Sequence, residues 1–208
     1  MKSETMRTTL RQRQAAQTRE TLLDAAARVF ARRGYSEATI DDVAEEAGAS
    51  KGAVYHHFAT KQKLFRALLA HRVAGLDPLR ELAEGALSLE ALIDGLVGLW
   101  FDRVRDRPEA VVLSLESRLQ ALREPAAANL LNSYYGQLRA THDELLRKAA
   151  RRFHLAQPSP HTALIVFSLL DGACQQAALD PRLLDDENFK GALAHAVASA
   201  LRPEPMPG

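Results

Sequence analysis

The sequence predicts an all-α protein, with a small N-terminal unit of three helices followed by a larger helical bundle. Three observations carry that expectation. Between Pro and Gly punctuation, nearly every segment repeats its apolar residues with a helical rather than an alternating period. Cap residues stand where such segments begin, at Thr39, Ser50 and Thr60. The chain has 208 residues, of which 47% are hydrophobic and 25% charged, so it holds enough apolar material for a real core and has an ordinary globular composition.

The first helix is read over Arg11 to Arg33, with Leu22, Ala26, Val29 and Phe30 on one face and Gly34 where a left-handed terminating residue belongs. Thr39 opens a short second helix that ends before Gly48, and Asp42, three residues on, answers it in a variant of the capping box. Ser50 caps a third helix, Lys51 to His57, whose Val54 shares a face with Phe58. Thr60 caps a fourth, to about Gly75. After an expected break at Asp77-Pro78 come helical stretches around Leu87 to Arg107, Glu109 to Leu122 and Pro125 to Phe153. Past the linker Gln157-Pro158-Ser159-Pro160, His161 to Leu179 is apolar almost all round and should be buried. Asn188 to Leu201 places Phe189, Leu193, Ala196, Val197, Ala200 and Leu201 on one stripe. The tail from Pro203, with three prolines and a glycine, is expected to be disordered.

Charge is divided unevenly. Up to Leu76 there are 13 Lys/Arg against 8 Asp/Glu, and beyond it 14 against 18. Only the first segment suggests a polyanionic partner. The single cysteine, Cys174, excludes an internal disulfide and a Cys-rich zinc site, and fits a reducing compartment. The wholly apolar stretch Ala163 to Phe167, extended past Ser168 to Leu170, is far short of a membrane span of about 18 residues. The first seventeen residues lack the apolar core of a secretory signal. The chain is therefore read as cytoplasmic, with no membrane partner.

Two short helices joined by the turn Gly48-Ala49-Ser50 have the layout of a helix-turn-helix, whose second helix enters the DNA major groove. Ala44 and Ala47 allow the helices to approach, Gly48 can take the positive φ of the turn, and Val54 and Phe58 anchor the reading helix. Lys51, Gly52, Ala53, Tyr55 and His56 are left facing outward.

At this point a family resemblance becomes specific. Thr39-Ile40-Asp41-Asp42-Val43-Ala44, Ala47-Gly48-Ala49-Ser50-Lys51-Gly52, Val54-Tyr55-His56-His57-Phe58 and Lys61 through Leu64 resemble the consecutive blocks of the TetR signature. The departure is at Gln62 and Lys63, where the family usually carries an acidic residue. The resemblance implies an N-terminal helix-turn-helix domain and a helical-bundle C-terminal domain for ligand binding and dimerisation. It implies phosphate contacts from Thr39, Tyr55, His56 and Lys61, with Ser50 starting the reading helix and Lys51, Gly52 and Ala53 facing bases. Independently, Lys61 and Lys63 sit in a first helical turn, where the helix dipole disfavours cations and a phosphate would explain them. Arg7, Arg11 and Arg13 form a basic arm, either a minor-groove contact or a solvated tail. The expected division is 1–17 flexible arm and start of the first helix, 18–64 DNA-binding domain, 65–202 regulatory and dimerisation domain, and 203–208 tail.

In the family it resembles, the last two long helices of each subunit form the dimer interface, and the stripe Phe189, Leu193, Val197 and Leu201 is the expected surface. Candidate walls of an effector cavity are Trp100, Phe101, Tyr134, Tyr135 and Phe167, with Glu116, Asp171 and Gln175, and also His142, as orienting polar groups. Asp171 sits mid-helix after an apolar run and should pair with an Arg across the bundle. Adjacent histidines, His56 and His57, point about 100° apart on a helix and make a poor metal pair. No nucleophile-base arrangement, phosphate loop or dinucleotide fingerprint stands out, so neither an enzyme nor a cofactor is expected. The reading is a homodimeric repressor on an inverted-repeat operator, released by a small-molecule effector. The alternative is an activator or an effector-free chromosome-organising protein of the same fold.

Overall fold

The computed structural model describes residues 2–74, 77–123, 125–159 and 161–201. Among the described residues there are ten α-helices, one short 3-10 turn and no strand. The helices are α1 (Lys2–Glu37), α2 (Ile40–Glu46), α3 (Lys51–His57), α4 (Lys61–Ala74), α5 (Asp77–Gly85), α6 (Leu89–Asp106), α7 (Glu109–Arg123), α8 (Pro125–Arg152), α9 (Thr162–Leu179) and α10 (Glu187–Leu201).

The local signals act where the sequence places them. Gly34 breaks α1 with φ 73° and ψ 163°, a conformation open essentially to glycine alone. The Thr39 hydroxyl accepts from the Asp42 amide at 3.1 Å while the Asp42 carboxylate accepts from the Thr39 amide at 2.9 Å, so the capping box is complete. These Thr39 contacts, side chain then backbone, hold the Asp42 carboxyl below its ordinary pKa. Gly48 takes φ +62° in the turn between α2 and α3, and the Ser50 hydroxyl accepts from the Ala53 amide at 3.1 Å. Val54 and Phe58 are buried, fixing α3 to the core.

Two large apolar cores result, with a small third cluster of Leu138 and Phe167. The first joins Leu22, Leu23, Val29 and Phe30 of α1 to Ile40 and Val43 of α2, Val54 of α3, and Leu64, Phe65, Leu68 and Leu69 of α4. It also takes in Leu113 of α7 and Leu131 of α8, so the bundle grips the N-terminal unit through shared packing. Phe30, Tyr35 and Phe65 form a ring cluster with centroids 4.7 to 5.7 Å apart. The second core lies among α5, α6, α8, α9 and α10, around Phe101, Val166, Leu170 and Val197. Arginines of α1 hold α2 in place: Arg28 and Arg32 reach Glu46 at 2.7 and 2.8 Å, and Arg33 reaches Asp42 at 3.2 Å.

Four expectations about elements change. α1 begins at Lys2, well before Arg11, so much of the segment read as an arm is helical. Asp77-Pro78 starts α5 instead of breaking the chain, because a proline in a first helical turn gives up an amide that has no intrahelical partner there. Pro181–Leu184 forms a 3-10 turn that periodicity did not reveal. α9, 18 residues at mean hydropathy 1.3, is long and apolar enough by composition to cross a membrane. It is nevertheless packed against α6, α8 and α10, with Leu170 and Ala177 fully enclosed.

The stripe on α10 is also reassigned. Leu193, Val197 and Leu201 are buried in the chain's own second core, and Phe189 stacks on Phe101 with centroids 6.0 Å apart. An amphipathic stripe reports that a face is buried but not which partner covers it. Here α6 and α9 cover it, and the exposed large apolar residues include Leu164, Ile165 and Leu179 of α9 as well as Val112, Leu115, Leu119 and Leu122 of α7. Tyr134's side chain and the 203–208 tail lie outside the described residues.

Candidate functional site

The N-terminal unit presents α3 outward. Lys51, Gly52, Tyr55 and His56 are exposed and Ala53 is partly so, while Thr39 and Ser50 are exposed at the starts of α2 and α3. A helix that buries one face through Val54 and shows small residues at its N-terminus can bring its backbone close to base edges. The Lys51 ammonium lies 2.8 Å from the Asp41 carboxylate. Both side chains are more than half exposed, so DNA can displace this pair at little cost. His56 and His57 meet edge to face at 5.4 Å.

Lys61 is placed differently from its expected phosphate role. Its Nζ donates to the carbonyls of Tyr35, Ser36 and Ala38 at 2.8, 3.0 and 2.9 Å, and lies 4.7 Å from the centre of the Tyr35 ring. An ammonium has three protons, and all three are committed. Partial burial pushes the Lys61 pKa down. The sequence argument failed because the dipole at the start of α4 was weighed without the bare carbonyls where α1 ends. Those carbonyls are the negative end of another helix. Lys61 therefore ties the end of α1 to the start of α4, whereas Lys63 stays exposed with its backbone amide on the Thr60 hydroxyl at 3.1 Å.

Lys61→Met is accordingly expected to lower stability by about 1–2 kcal/mol, a charged hydrogen-bond cluster discounted for partial exposure. Its weakening of DNA binding should leave the slope of log affinity against log salt unchanged. A slope shallower by about one unit per subunit would restore the phosphate contact.

A partly open cavity of about 70 Å³ lies between α6, α7, α8 and α9. Trp100, Tyr135, Phe167 and Asp171 line it, together with His142, Arg103, Ser114 and Leu138. A larger hollow of about 320 Å³ shares the walls Trp100, Arg103 and Ala110 and is closed on its other side by Asp24 and Ala27 of α1 and Leu68 and His71 of α4. The core space thus abuts the N-terminal unit.

Asp171 finds its arginine. The Arg118 guanidinium donates to its carboxylate at 2.6 Å and to the Tyr135 hydroxyl at 2.9 Å, and Gln175 donates to the same carboxylate oxygen at 2.7 Å. His142 is buried, with Nδ1 2.8 Å from the Leu138 carbonyl, and desolvation pushes its pKa down, so the ring is neutral at pH 7. Burial pushes the Cys174 thiol up to about 12, which leaves it protonated and unreactive.

Three candidate walls fall elsewhere. Phe101 is core, stacked on Phe189. Glu116 points at the Gly34 break in α1, its carboxylate 3.2 Å from where a Cβ on Gly34 would stand. Gln175 supports Asp171 from outside the lining. Helical spacing sets Trp100 and Phe101 about 100° apart but does not say which of the two directions meets the cavity.

Two family models match the chain. Residues 22–68 match "Bacterial regulatory proteins, tetR family", and residues 97–202 match "BetI-type transcriptional repressor, C-terminal". The chain is 26% identical over 161 residues to the HTH-type transcriptional regulator UidR of Escherichia coli K12, covering 77% of this chain and 80% of UidR. It is 29% identical over 133 residues to the HTH-type transcriptional repressor NicS of Pseudomonas putida, covering 61% of each. Its fold superposes on the Bacillus subtilis regulator FadR in complex with stearoyl-CoA with TM-score 0.70 at 13% identity, over 88% of this chain and 97% of that one. With the reading helix, its capped turn and both family models in agreement, the chain belongs to the TetR family of DNA-binding transcriptional regulators.

Proposed function

We propose that the protein is a homodimeric repressor that binds an inverted-repeat operator in the cytoplasm and leaves it when a small molecule fills the bundle cavity. The observation that carries this reading is the shared wall between the core cavity and the hollow against α1 and α4. Trp100 and Arg103 border both spaces, so a ligand that moves either one bears on the helices that hold α3. A dimer must keep its two reading helices about 34–36 Å apart to reach successive major grooves. A ligand that favours a differently spaced conformer shifts the population off DNA, typically by about 1–3 kcal/mol of coupling. FadR in complex with stearoyl-CoA supports this, as a protein of the same fold that holds a ligand.

In this reading Lys51, Gly52 and Ala53 face bases, and Thr39, Tyr55, His56 and Lys63 meet phosphates, while Lys61 positions them. The dimer forms through the outward face of α9, with exposed Ile165 near its start and Leu179 at its end. The test is footprinting on genomic DNA followed by affinity measurements. A single inverted repeat should be protected, and Lys51→Ala should cost about 1–3 kcal/mol per half-site on it, with less effect on random DNA. Scattered protection without symmetry would favour a chromosome-organising protein, and equal losses on all DNA would remove Lys51 from base reading.

A further inference from the structure

One acceptor in the cavity is left unspent. His142 is 3% exposed, and its Nδ1 lies 2.8 Å from the Leu138 carbonyl. A carbonyl only accepts, so Nδ1 carries the proton and Nε2 of the neutral ring holds a bare lone pair. Nε2 is buried and has no hydrogen-bond partner among the described residues. Such an atom costs as much as a lost hydrogen bond unless something fills its valence.

The surroundings define what fits. Phe167 stands edge to face with both Trp100, at 5.4 Å and 77°, and His142, at 5.6 Å and 82°, and Tyr135 closes on Phe167 at 6.4 Å. These rings form an apolar box in which aromatic guests pack well. A cavity of about 150 Å³ holds benzene, so the present space of about 70 Å³ admits a single ring only if Trp100, which is not fully buried, yields toward the neighbouring hollow. The Asp171 carboxylate also lines the wall. The Arg103 guanidinium lines it as well, so the charged groups around the space carry both signs. What favours a donor is the bare lone pair on Nε2, which offers a carboxylate no proton to accept.

We propose that this cavity selects a neutral, single-ring hydrogen-bond donor of the phenol type, with its hydroxyl donating to Nε2 of His142 and its ring held among Trp100, Phe167 and Tyr135. The inference rests on the reading of this cavity as the effector site and adds the chemistry of the ligand. Entry of the ring displaces the Trp100 indole toward the hollow bordered by α1 and α4, the helices that pack under α3.

Trp100 is the only tryptophan in the chain, so its fluorescence, excited at the red edge of the indole band, reports occupancy directly. Phenol, anisole, toluene and benzoate are titrated into the full-length protein. Phenol should bind about 10-fold more tightly than anisole or toluene, the worth of one good hydrogen bond, although toluene prefers an apolar phase more strongly. In His142→Phe, which keeps a ring and loses the acceptor, that preference should vanish, and in His142→Gln, which keeps an acceptor, part of it should remain. The wild-type series decides even if a variant fails to fold. Toluene, anisole or benzoate binding as tightly as phenol, or a phenol preference that survives in folded His142→Phe, overturns the proposal. A parallel DNA-binding measurement separates the two readings. Phenol that binds selectively but leaves DNA affinity unchanged defeats the effector reading alone. Release of DNA by other compounds, without selectivity for phenol, defeats the donor chemistry alone.

Discussion

Ile165→Asp combined with Leu179→Asp is expected to leave the protein folded and monomeric, with operator affinity lowered by roughly 10²–10⁴-fold. Ile165 is 49% exposed and Leu179 82% exposed on α9, so neither substitution disturbs the core of one subunit. In the proposed dimer both side chains enter an apolar seam, where two carboxylates cost several kcal/mol together. The affinity loss follows because two linked reading heads bind far more tightly than either does alone. The contrasting pair, Leu193→Asp with Val197→Asp, places the same charges inside the subunit, where Val197 is completely enclosed. That pair should abolish folding and not merely dissociate subunits. Sedimentation and circular dichroism on both pairs decide the matter. A folded dimer with the α9 substitutions would move the interface elsewhere, and a folded monomer with the α10 substitutions would return it to the α10 stripe.

Arg118→Met should destabilise the bundle by about 2–4 kcal/mol. Its guanidinium reaches Asp171 of α9 and Tyr135 of α8 from α7, so it joins three helices. The Asp171 side chain is only 16% exposed, and removing its cation leaves a carboxylate nearly stripped of water. Breaking a buried pair from one side costs about 3–5 kcal/mol, and the lower range here allows for the 31% exposure of Arg118. Adding Asp171→Leu to Arg118→Met should recover most of the loss, because an apolar replacement of a buried pair is often neutral or better. Urea unfolding of the two single variants and the double variant measures the coupling. A loss below about 0.5 kcal/mol for Arg118→Met, within the range of ordinary surface changes, would show that the pair is solvated and contributes little.

The helix-turn-helix was legible almost residue by residue because its determinants are local. Thr39, Gly48 and Ser50 each act on backbone within four residues, and Val54 and Phe58 share a face by spacing alone. The need of Asp171 for an arginine was also legible, since a carboxylate in the middle of an apolar helix has few affordable partners. Lys61 was misread for the complementary reason. The carbonyls it satisfies belong to residues 23 to 26 positions earlier in the chain, and no window along the sequence brings them together.

The sequence by itself determined the helical class, the caps, and the reading helix with its exposed side chains, all of which follow from periodicity and short-range hydrogen bonds, while its motif blocks carried the resemblance to the family. Tertiary structure alone decided the rest. It turned Phe101 and the α10 stripe into one subunit's core, turned Trp100 and His142 into cavity walls, sent Glu116 to the Gly34 break, and made Leu113 and Leu131 part of the core under the N-terminal unit. Helical periodicity says that a face must be covered and by what kind of surface. Which helix covers it depends on how all ten pack at once, and that is a property of the whole chain.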